Sequence, residues 1–116
     1  MANRTGAVDI WERWRGHDLE ARVLHAARAL EAVLSVSQGA DTDEWRAARL
    51  DAVGEVRELT TALAVQCAIE AQQGSTPDMS LREVARRLRM SAGQIQLWVR
   101  AATTRDCPNC GTALGQ

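Results

Sequence analysis

The chain has 116 residues, of which 46% are hydrophobic and 25% are charged. These proportions are those of an ordinary folded domain, and they exclude a disordered tail, a collagen-like repeat and a disulfide-dense miniprotein. No apolar run reaches the roughly 18 residues that a membrane span needs, and the N-terminal residues lack the apolar core of a secretory signal. We therefore expect a cytoplasmic protein that does not enter the membrane.

The net charge of −1 is unevenly distributed along the chain. Residues 1–78 carry 8 arginines against 13 acidic residues, a net charge of −5, whereas residues 79–116 carry 6 against 2, a net charge of +4. A chain divided in this way often combines an acidic assembly region with a basic region that contacts a polyanion.

Two tryptophans near the N-terminus are the first structural signal. Trp11 and Trp14 are three residues apart, which places both indoles on one face of a helix. Large aromatic side chains usually pack into a core or against a partner, and we expect that here. Gly16 is expected to interrupt this segment.

Residues 17–38 have the apolar spacing of an amphipathic helix. Gly39 is expected to end this helix, because glycine favours the backbone of a helix C-terminus. The predicted apolar stripe consists of Leu19, Val23, Ala26, Ala27, Leu30, Val33 and Leu34.

A longer helix is expected from Asp41 to about Gln73, where a Gly-Ser-Thr-Pro run breaks the pattern. Asp41 and Glu44 have the spacing of a capping box. A helix of some 30 residues is about 45 Å long, too long for the preceding helix to cover. We therefore predict that residues 9–73 form a hairpin that pairs with a second copy as a four-helix bundle. The predicted stripe is Trp45, Ala48, Ala52, Val56, Leu59 and Leu63, flanked by Val53, Thr60 and Cys67.

Residues 79–102 contain two helix starts eleven positions apart. Ser80 with Glu83, and Ser91 with Gln94, have the spacing of capping boxes. They predict a short helix over Leu81–Leu88, a tight turn at Arg89-Met90, and a second helix from Ala92 to about Thr103. The shared core is expected to contain Leu81, Val84, Ala85, Leu88, Met90, Ile95, Trp98 and Val99.

This segment resembles the helix-turn-helix DNA-binding motif of small bacterial and phage regulators, over about 22 residues. The family usually has glycine at the start of the turn, where this chain has Arg89, and a side chain there strains a left-handed backbone. The resemblance implies that the second helix enters the DNA major groove. The matching positions are Val84, Ala85, Leu88, Met90, Ser91, Ile95 and Trp98.

The resemblance assigns base contacts to the start of the second helix, where glutamine can pair with adenine and arginine with guanine. Gly93 would allow close approach to the groove, and Ser91 with the helix N-terminus could hold a phosphate. The candidates are Ser91, Ala92, Gly93, Gln94, Gln96 and Arg100. Four arginines on the first helix and turn are expected to contact phosphates irrespective of sequence: Arg82, Arg86, Arg87 and Arg89.

The segment from Cys107 to Cys110 has the spacing of a zinc knuckle, which is half of a zinc ribbon. A complete site needs four ligands, and the chain otherwise offers only Cys67, His17 and His25. Three interpretations stay open: zinc shared between two protomers, a redox-active pair and an inert tail. Cys67 is expected to be a packed thiol on the apolar side of its helix.

The sequence contains no P-loop, nucleophile elbow, zincin helix or dinucleotide-binding fingerprint, so we predict that the protein is not an enzyme. The predicted organisation is an all-α chain with a dimerisation region (1–73), a linker (74–79), a helix-turn-helix (80–104) and a cysteine-containing tail (105–116).

These expectations describe a homodimeric regulator that binds double-stranded DNA in a sequence-specific way. The alternative is a protein–protein adaptor or antitoxin-like module. In that case the helical hairpin, with Trp11 and Trp14, would bind a partner, and exposed indoles would be its signature.

Overall fold

The computed structural model describes residues 6–36, 41–72 and 79–106, with side chains up to Thr103. The described residues form helices without strands, so the predicted all-α class is confirmed. No helix in these ranges combines the length and apolar character that crossing a bilayer demands. The helices are α1 (Gly6–Arg13), α2 (Leu19–Leu34), α3 (Asp43–Gln72), α4 (Leu81–Leu88) and α5 (Ala92–Asp106).

Helix α2 is shorter than the predicted range 17–38. It starts after Asp18, whose carboxylate accepts the backbone N–H of Ala21 at 3.1 Å. It ends at Leu34, where the Ser35 hydroxyl donates to the Glu31 carbonyl at 2.7 Å. The backbone N–H of Ser35 donates to the same carbonyl, so Ser35 closes the last turn as the C-cap. Gly39, the predicted stop, lies outside the described residues.

The start of α3 differs from the prediction by one position. The Thr42 hydroxyl accepts the backbone N–H of Trp45 at 3.1 Å, so Thr42 is the N-cap and the predicted Asp41–Glu44 capping box is wrong. Asp41 instead accepts two hydrogen bonds from the Arg46 guanidinium, at 2.8 and 3.0 Å. Threonine and aspartate are both good caps, so the sequence pattern alone did not separate them.

Helix α4 has the predicted bounds, and its two ends explain why. The Ser80 hydroxyl accepts the N–H of Glu83 at 3.1 Å at the start. At the end Arg89 adopts the left-handed conformation, with φ 61° and ψ 45°. The N–H groups of Arg89 and Met90 bond back to carbonyls of α4, at 3.2 and 2.9 Å, as in a Schellman motif. A non-glycine residue in this conformation costs about 1–2 kcal/mol.

Helix α3 packs with different neighbours along its two halves. The Trp45 indole Nε1 donates to the Val33 carbonyl at 3.0 Å, so the start of α3 lies beside the end of α2 and the two helices run antiparallel. The second half of α3 packs on α1, α4 and α5. Its buried residues are Leu59, Ala62, Val65, Ala68 and Ile69.

The length of α3 was the reason for predicting that a second copy covers it, and the packing inside one chain removes that reason. The part of α3 that α2 does not reach is covered by the chain's own α1, α4 and α5, so its length does not require a second copy. The described part of the molecule is correspondingly elongated, measuring 57 × 34 × 29 Å. Helix α2 and the first half of α3 form one end, and the other three helices surround the second half of α3. Among the described helices, α2 contacts only α3.

One hydrophobic cluster holds the second end together. Val8 of α1, Val65 of α3 and Ile95 of α5 are fully buried in it, and Trp11 and Trp98 are nearly so. The predicted core of the α4–α5 segment is present within this cluster, with Leu81, Leu88, Met90 and Val99 partly buried at its edge.

Several residues predicted to line the apolar stripes of α2 and α3 are exposed. Because α2 packs on α3 alone, each helix buries only a narrow strip in this end of the molecule, and flanking positions face solvent. Thr60, in the second half of α3, is exposed too, and its hydroxyl donates to the Val56 carbonyl of its own helix at 2.7 Å. The exposed stripe residues are Ala27, Leu34 and Ala48. The residues predicted to flank the α3 stripe, Val53, Thr60 and Cys67, are exposed as well.

Candidate nucleic-acid interface

Helix α5 has a sharply divided inner and outer face. Ile95 and Trp98 point into the core, with exposed fractions of 0% and 6%. Gly93, Gln96 and Arg100 lie at offsets of three and four on the opposite side, and all three are exposed. They form a polar stripe that begins at the helix N-terminus. We call Gly93, Gln96 and Arg100 the outer stripe of α5.

The N-terminus of α5 is built by Ser91. Its hydroxyl accepts the N–H of Gln94 at 3.1 Å, and its carbonyl accepts the N–H of Ile95 at 3.2 Å. The N–H groups of Ala92 and Gly93 precede these bonds, so they belong to the open first turn of the helix. Ser91, Ala92 and Gly93 are exposed, whereas Gln94 is half-buried and therefore the least accessible of the predicted base readers.

Gly93 has no packing reason to be glycine. A Cβ built at this position meets no atom within 4 Å. Glycine in a helix costs up to about 1 kcal/mol relative to alanine, so its presence is unfavourable for the isolated fold. The open space leaves the helix backbone accessible at the start of the outer stripe.

The four predicted phosphate-binding arginines are all exposed, but they are not equivalent. Arg86 and Arg87 both donate to the same carboxylate oxygen of Glu83. The hydrogen bond from Arg86, supported by Arg87, lowers the pKa of Glu83. Two of the four predicted phosphate-binding arginines thus have an acidic partner on their own helix, and Arg82 and Arg89 are the members outside this ion-pair network. The three- and four-residue spacing of Glu83 to these arginines was a signal that sequence reasoning passed over.

Sequence reasoning expected Trp11 to pack into a core or against a partner, but it did not place this tryptophan behind α5. Helix α1 packs on both α3 and α5, and Val8 and Trp11 belong to the cluster behind the outer stripe. Their three-residue spacing was the available signal. Within the described part of the chain, the buried Nε1 of Trp98 has no hydrogen-bond partner.

A groove of about 830 Å³ lies between α2 and α3, away from the outer stripe. Trp14 closes one side, and its Nε1 donates to Glu58 at 2.8 Å while the Arg22 guanidinium lies 5.2 Å from its ring centroid. Glu58 is also 3.9 Å from the Arg13 guanidinium. The indole thus already has polar and cationic contacts within the chain.

The predicted zinc knuckle at Cys107 and Cys110 lies outside the described residues, and zinc binding there stays a prediction. In the described ranges no group of three histidine, cysteine or acidic side chains is placed to hold a metal. Cys67 is exposed, so its assignment as a packed thiol is wrong. Partial burial still raises the pKa of its thiol, and the carboxylates of Glu70 and Glu20 add to the effect.

Comparison of the chain with protein-family models, curated proteins and solved structures gave no match. The exposed groups of α4 and α5 are the surface features that bear on function. They combine amide and guanidinium donors on one helix face with an open helix N-terminus. These are groups that bind base edges and phosphates in nucleic acids.

Proposed function

We propose that the protein is a sequence-specific DNA-binding regulator, in which α4 and α5 act as a helix-turn-helix and two copies act together. The outer stripe of α5 is the observation that carries this proposal. It is exposed along one helix face, while α1, α3 and α4 pack behind it. A helix that enters the major groove needs both this exposure and this rigid support.

Gln96 and Arg100 are the proposed base readers. Both are exposed on the same face of α5, and neither is needed for the packing of the inner face. A glutamine can bond to N6 and N7 of adenine, and an arginine to O6 and N7 of guanine. Each such contact discriminates against the wrong base by about 1–3 kcal/mol. Gly93, one turn earlier, lets the helix approach the groove edge.

Phosphate contacts are assigned to two kinds of group. The N–H groups of Ala92 and Gly93 lie at the positive end of the α5 dipole, where phosphate oxygens bind well. Arg82 and Arg89 supply exposed cations on α4 and the turn. The carboxylate of Glu83 partly neutralises the charges of Arg86 and Arg87, so their contribution to phosphate binding is smaller.

Selection from a pool of random duplex DNA, followed by sequencing of the bound fraction, tests this proposal. We expect an enriched palindrome whose half-sites are about 10 base pairs apart, or a multiple of that. The Gln96→Ala/Arg100→Ala variant removes exposed side chains only, and it should lose this enrichment. Binding that depends on salt without any enriched sequence would contradict sequence-specific reading, and absence of binding at physiological salt would contradict DNA binding.

The contacts of the N-terminal tryptophans do not favour the adaptor alternative. That interpretation requires indoles available to a partner. Trp11 is 5% exposed and its Nε1 donates to Gln66 Oε1 at 2.7 Å. Trp14 is half-buried and bonded to Glu58.

A further inference from the structure

The large apolar side chains that are exposed are concentrated at one end of the molecule. Within the described residues they belong to α2, the residues that follow it, and the first half of α3, with none on α1, α4 or α5. Leu50 is 71% exposed and Leu24 is 57% exposed. The others are Leu34, Val36 and Val53. Apolar side chains gathered in this way on an elongated helix pair mark an interaction surface.

On α2 the exposed apolar residues belong to a regular seam. Glu20, Leu24, Ala27, Glu31 and Leu34 follow one another at offsets of four, three, four and three residues, and all five are exposed. This alternation is the repeat by which one helix packs along another. We call these five residues the α2 seam.

On α3 a second seam repeats the pattern with the opposite charge. Arg46, Leu50, Val53, Arg57 and Thr60 have the same offsets of four, three, four and three, and all are exposed. We call these five residues the α3 seam. Each seam has two apolar residues between two charged ones, and the charged residues are eleven positions, or about 16.5 Å, apart in both. The α2 seam carries acids where the α3 seam carries arginines.

We propose that a second copy of the chain covers this surface, with the α2 seam of each protomer antiparallel to the α3 seam of its partner. This inference deepens the homodimer of the proposed function by naming its interface. Glu20 then faces Arg57 of the partner, and Glu31 faces Arg46 of the partner. Between them Leu24 meets Val53 of the partner, and the small Ala27 meets the large Leu50 of the partner.

The register inside one chain supports this pairing. The Trp45 indole reaches the Val33 carbonyl, which places residues 33 and 45 at about the same height along the α2–α3 pair. Because the two helices are antiparallel, any two residues at the same height have numbers that add up to about 78. A twofold axis parallel to the helices keeps every residue at its own level. Where it lies opposite the middle of the face that α2 and α3 share, it sets α2 opposite the partner's α3. The four cross-protomer pairs add up to 77, within about one residue, or 1.5 Å, of that level. The charge pattern and the symmetry thus select the same register without any shift along the axis.

The proposed dimer places the two α4–α5 segments where both can contact one DNA duplex. With the axis along the helices, both α4–α5 segments lie at the same end of the bundle, as two half-sites on one duplex require. Arg46 already bonds Asp41 and lies 3.7 Å from Asp43, so Glu31 of the partner joins an existing ion-pair group there. Arg57 and Glu20 therefore provide the cleaner test of the pairing.

Sedimentation equilibrium of the full chain without DNA tests the interface. The wild type should sediment at twice 12.7 kDa. Leu50→Glu should produce monomers, because it places a charge in the centre of the apolar surface. Ala32→Glu changes an exposed residue of α2 outside the α2 seam and should leave the dimer unchanged. A monomeric wild type, or a Leu50→Glu variant that still dimerises, overturns the proposal.

Charge exchange tests the register. Glu20→Arg and Arg57→Glu should each weaken the dimer about tenfold, and the double variant should restore it. In a background without the three native cysteines, an Ala27→Cys chain mixed with a Leu50→Cys chain should form a disulfide between protomers, and neither chain should do so alone. Failure of restoration together with crosslinking of Ala27→Cys to itself would contradict the antiparallel arrangement. None of these experiments involves DNA, so their failure leaves the DNA-binding proposal to its own test.

Discussion

The indole Nε1 of Trp11 donates a hydrogen bond to Oε1 of Gln66, 55 residues further along the chain, at 2.7 Å. This bond joins α1 to the half of α3 on which α4 and α5 pack. Trp11 belongs to the same buried cluster as Ile95 and Trp98 of α5. The N-terminal helix therefore supports the proposed DNA-reading helix from behind, although it lies far from it in sequence.

Two tryptophan substitutions should separate the contribution of this hydrogen bond to stability from the contribution of burial. Trp11→Phe removes the donor and leaves Gln66 Oε1 without it, so we expect a loss of about 1–3 kcal/mol in the free energy of unfolding. Trp98→Phe removes an Nε1 that has no partner among the described residues. Its loss in the free energy of unfolding should therefore be smaller than that of Trp11→Phe by about 1 kcal/mol. Urea denaturation monitored by circular dichroism measures both, and a larger loss for Trp98→Phe would contradict the assignment.

Glu83→Gln should strengthen DNA binding. It removes the carboxylate that binds both Arg86 and Arg87 and releases their charge for phosphate contacts. We expect tighter binding and a steeper salt dependence, by up to about one unit of the logarithmic slope per released arginine. Fluorescence anisotropy over a salt series measures this slope. Glu55→Gln, an equal charge change at an exposed position on α3, should have little effect; equal effects of the two variants would show that only net charge matters.

Gly93→Ala and Gly54→Ala form a matched pair. Both glycines are helical, and an added Cβ meets nothing within 4 Å at either site. Each variant should be more stable, by up to about 1 kcal/mol, because alanine is the better helix former. Only Gly93→Ala should weaken DNA binding, since only that methyl group would face the DNA major groove. Thermal denaturation and anisotropy give the two readouts, and unchanged affinity of Gly93→Ala would remove this residue from the interface.

Arg100→Ala and Gln96→Ala should relax sequence preference. If they read bases, each variant should lose about 1–3 kcal/mol of discrimination at one position of the selected site. Binding to unrelated DNA should change little. A uniform loss across all sequences would assign the residue to phosphate contact instead, and no change in either variant would exclude the outer stripe as the reading surface.

Cys67 should be less reactive than its exposure suggests. Burial of part of the thiol, together with Glu70 and Glu20, raises its pKa, and only the thiolate reacts with alkylating agents. In a chain where Cys107 and Cys110 are serine, the rate of iodoacetamide labelling should increase with pH around a midpoint above that of an ordinary thiol, about 8.5. Glu70→Gln should shift the midpoint to lower pH. The same midpoint in folded protein and in urea would contradict the effect of the fold.

The sequence by itself determined the features that depend on neighbours in the chain. The bounds of α4, the serine caps of α4 and α5, and the left-handed Arg89 all follow from hydrogen bonds that span three to five residues. The same local pattern separated the inner and outer faces of α5, because a helix repeats every 3.6 residues. The arginine pairs of Glu83 were equally local and could have been anticipated from their spacing.

Only the tertiary structure decided what covers each helix. Apolar spacing identified a face on α3 but not its neighbours, and the packing of its second half depends on contacts with helices that lie before and after it in the chain. Trp11 and Gln66, for example, are 55 positions apart. Those contacts explain why Val65 and Ile95 are buried while Val53, with similar chemistry, is 46% exposed. An apolar side chain favours burial, but burial also needs a neighbouring surface, and that surface comes from the whole fold.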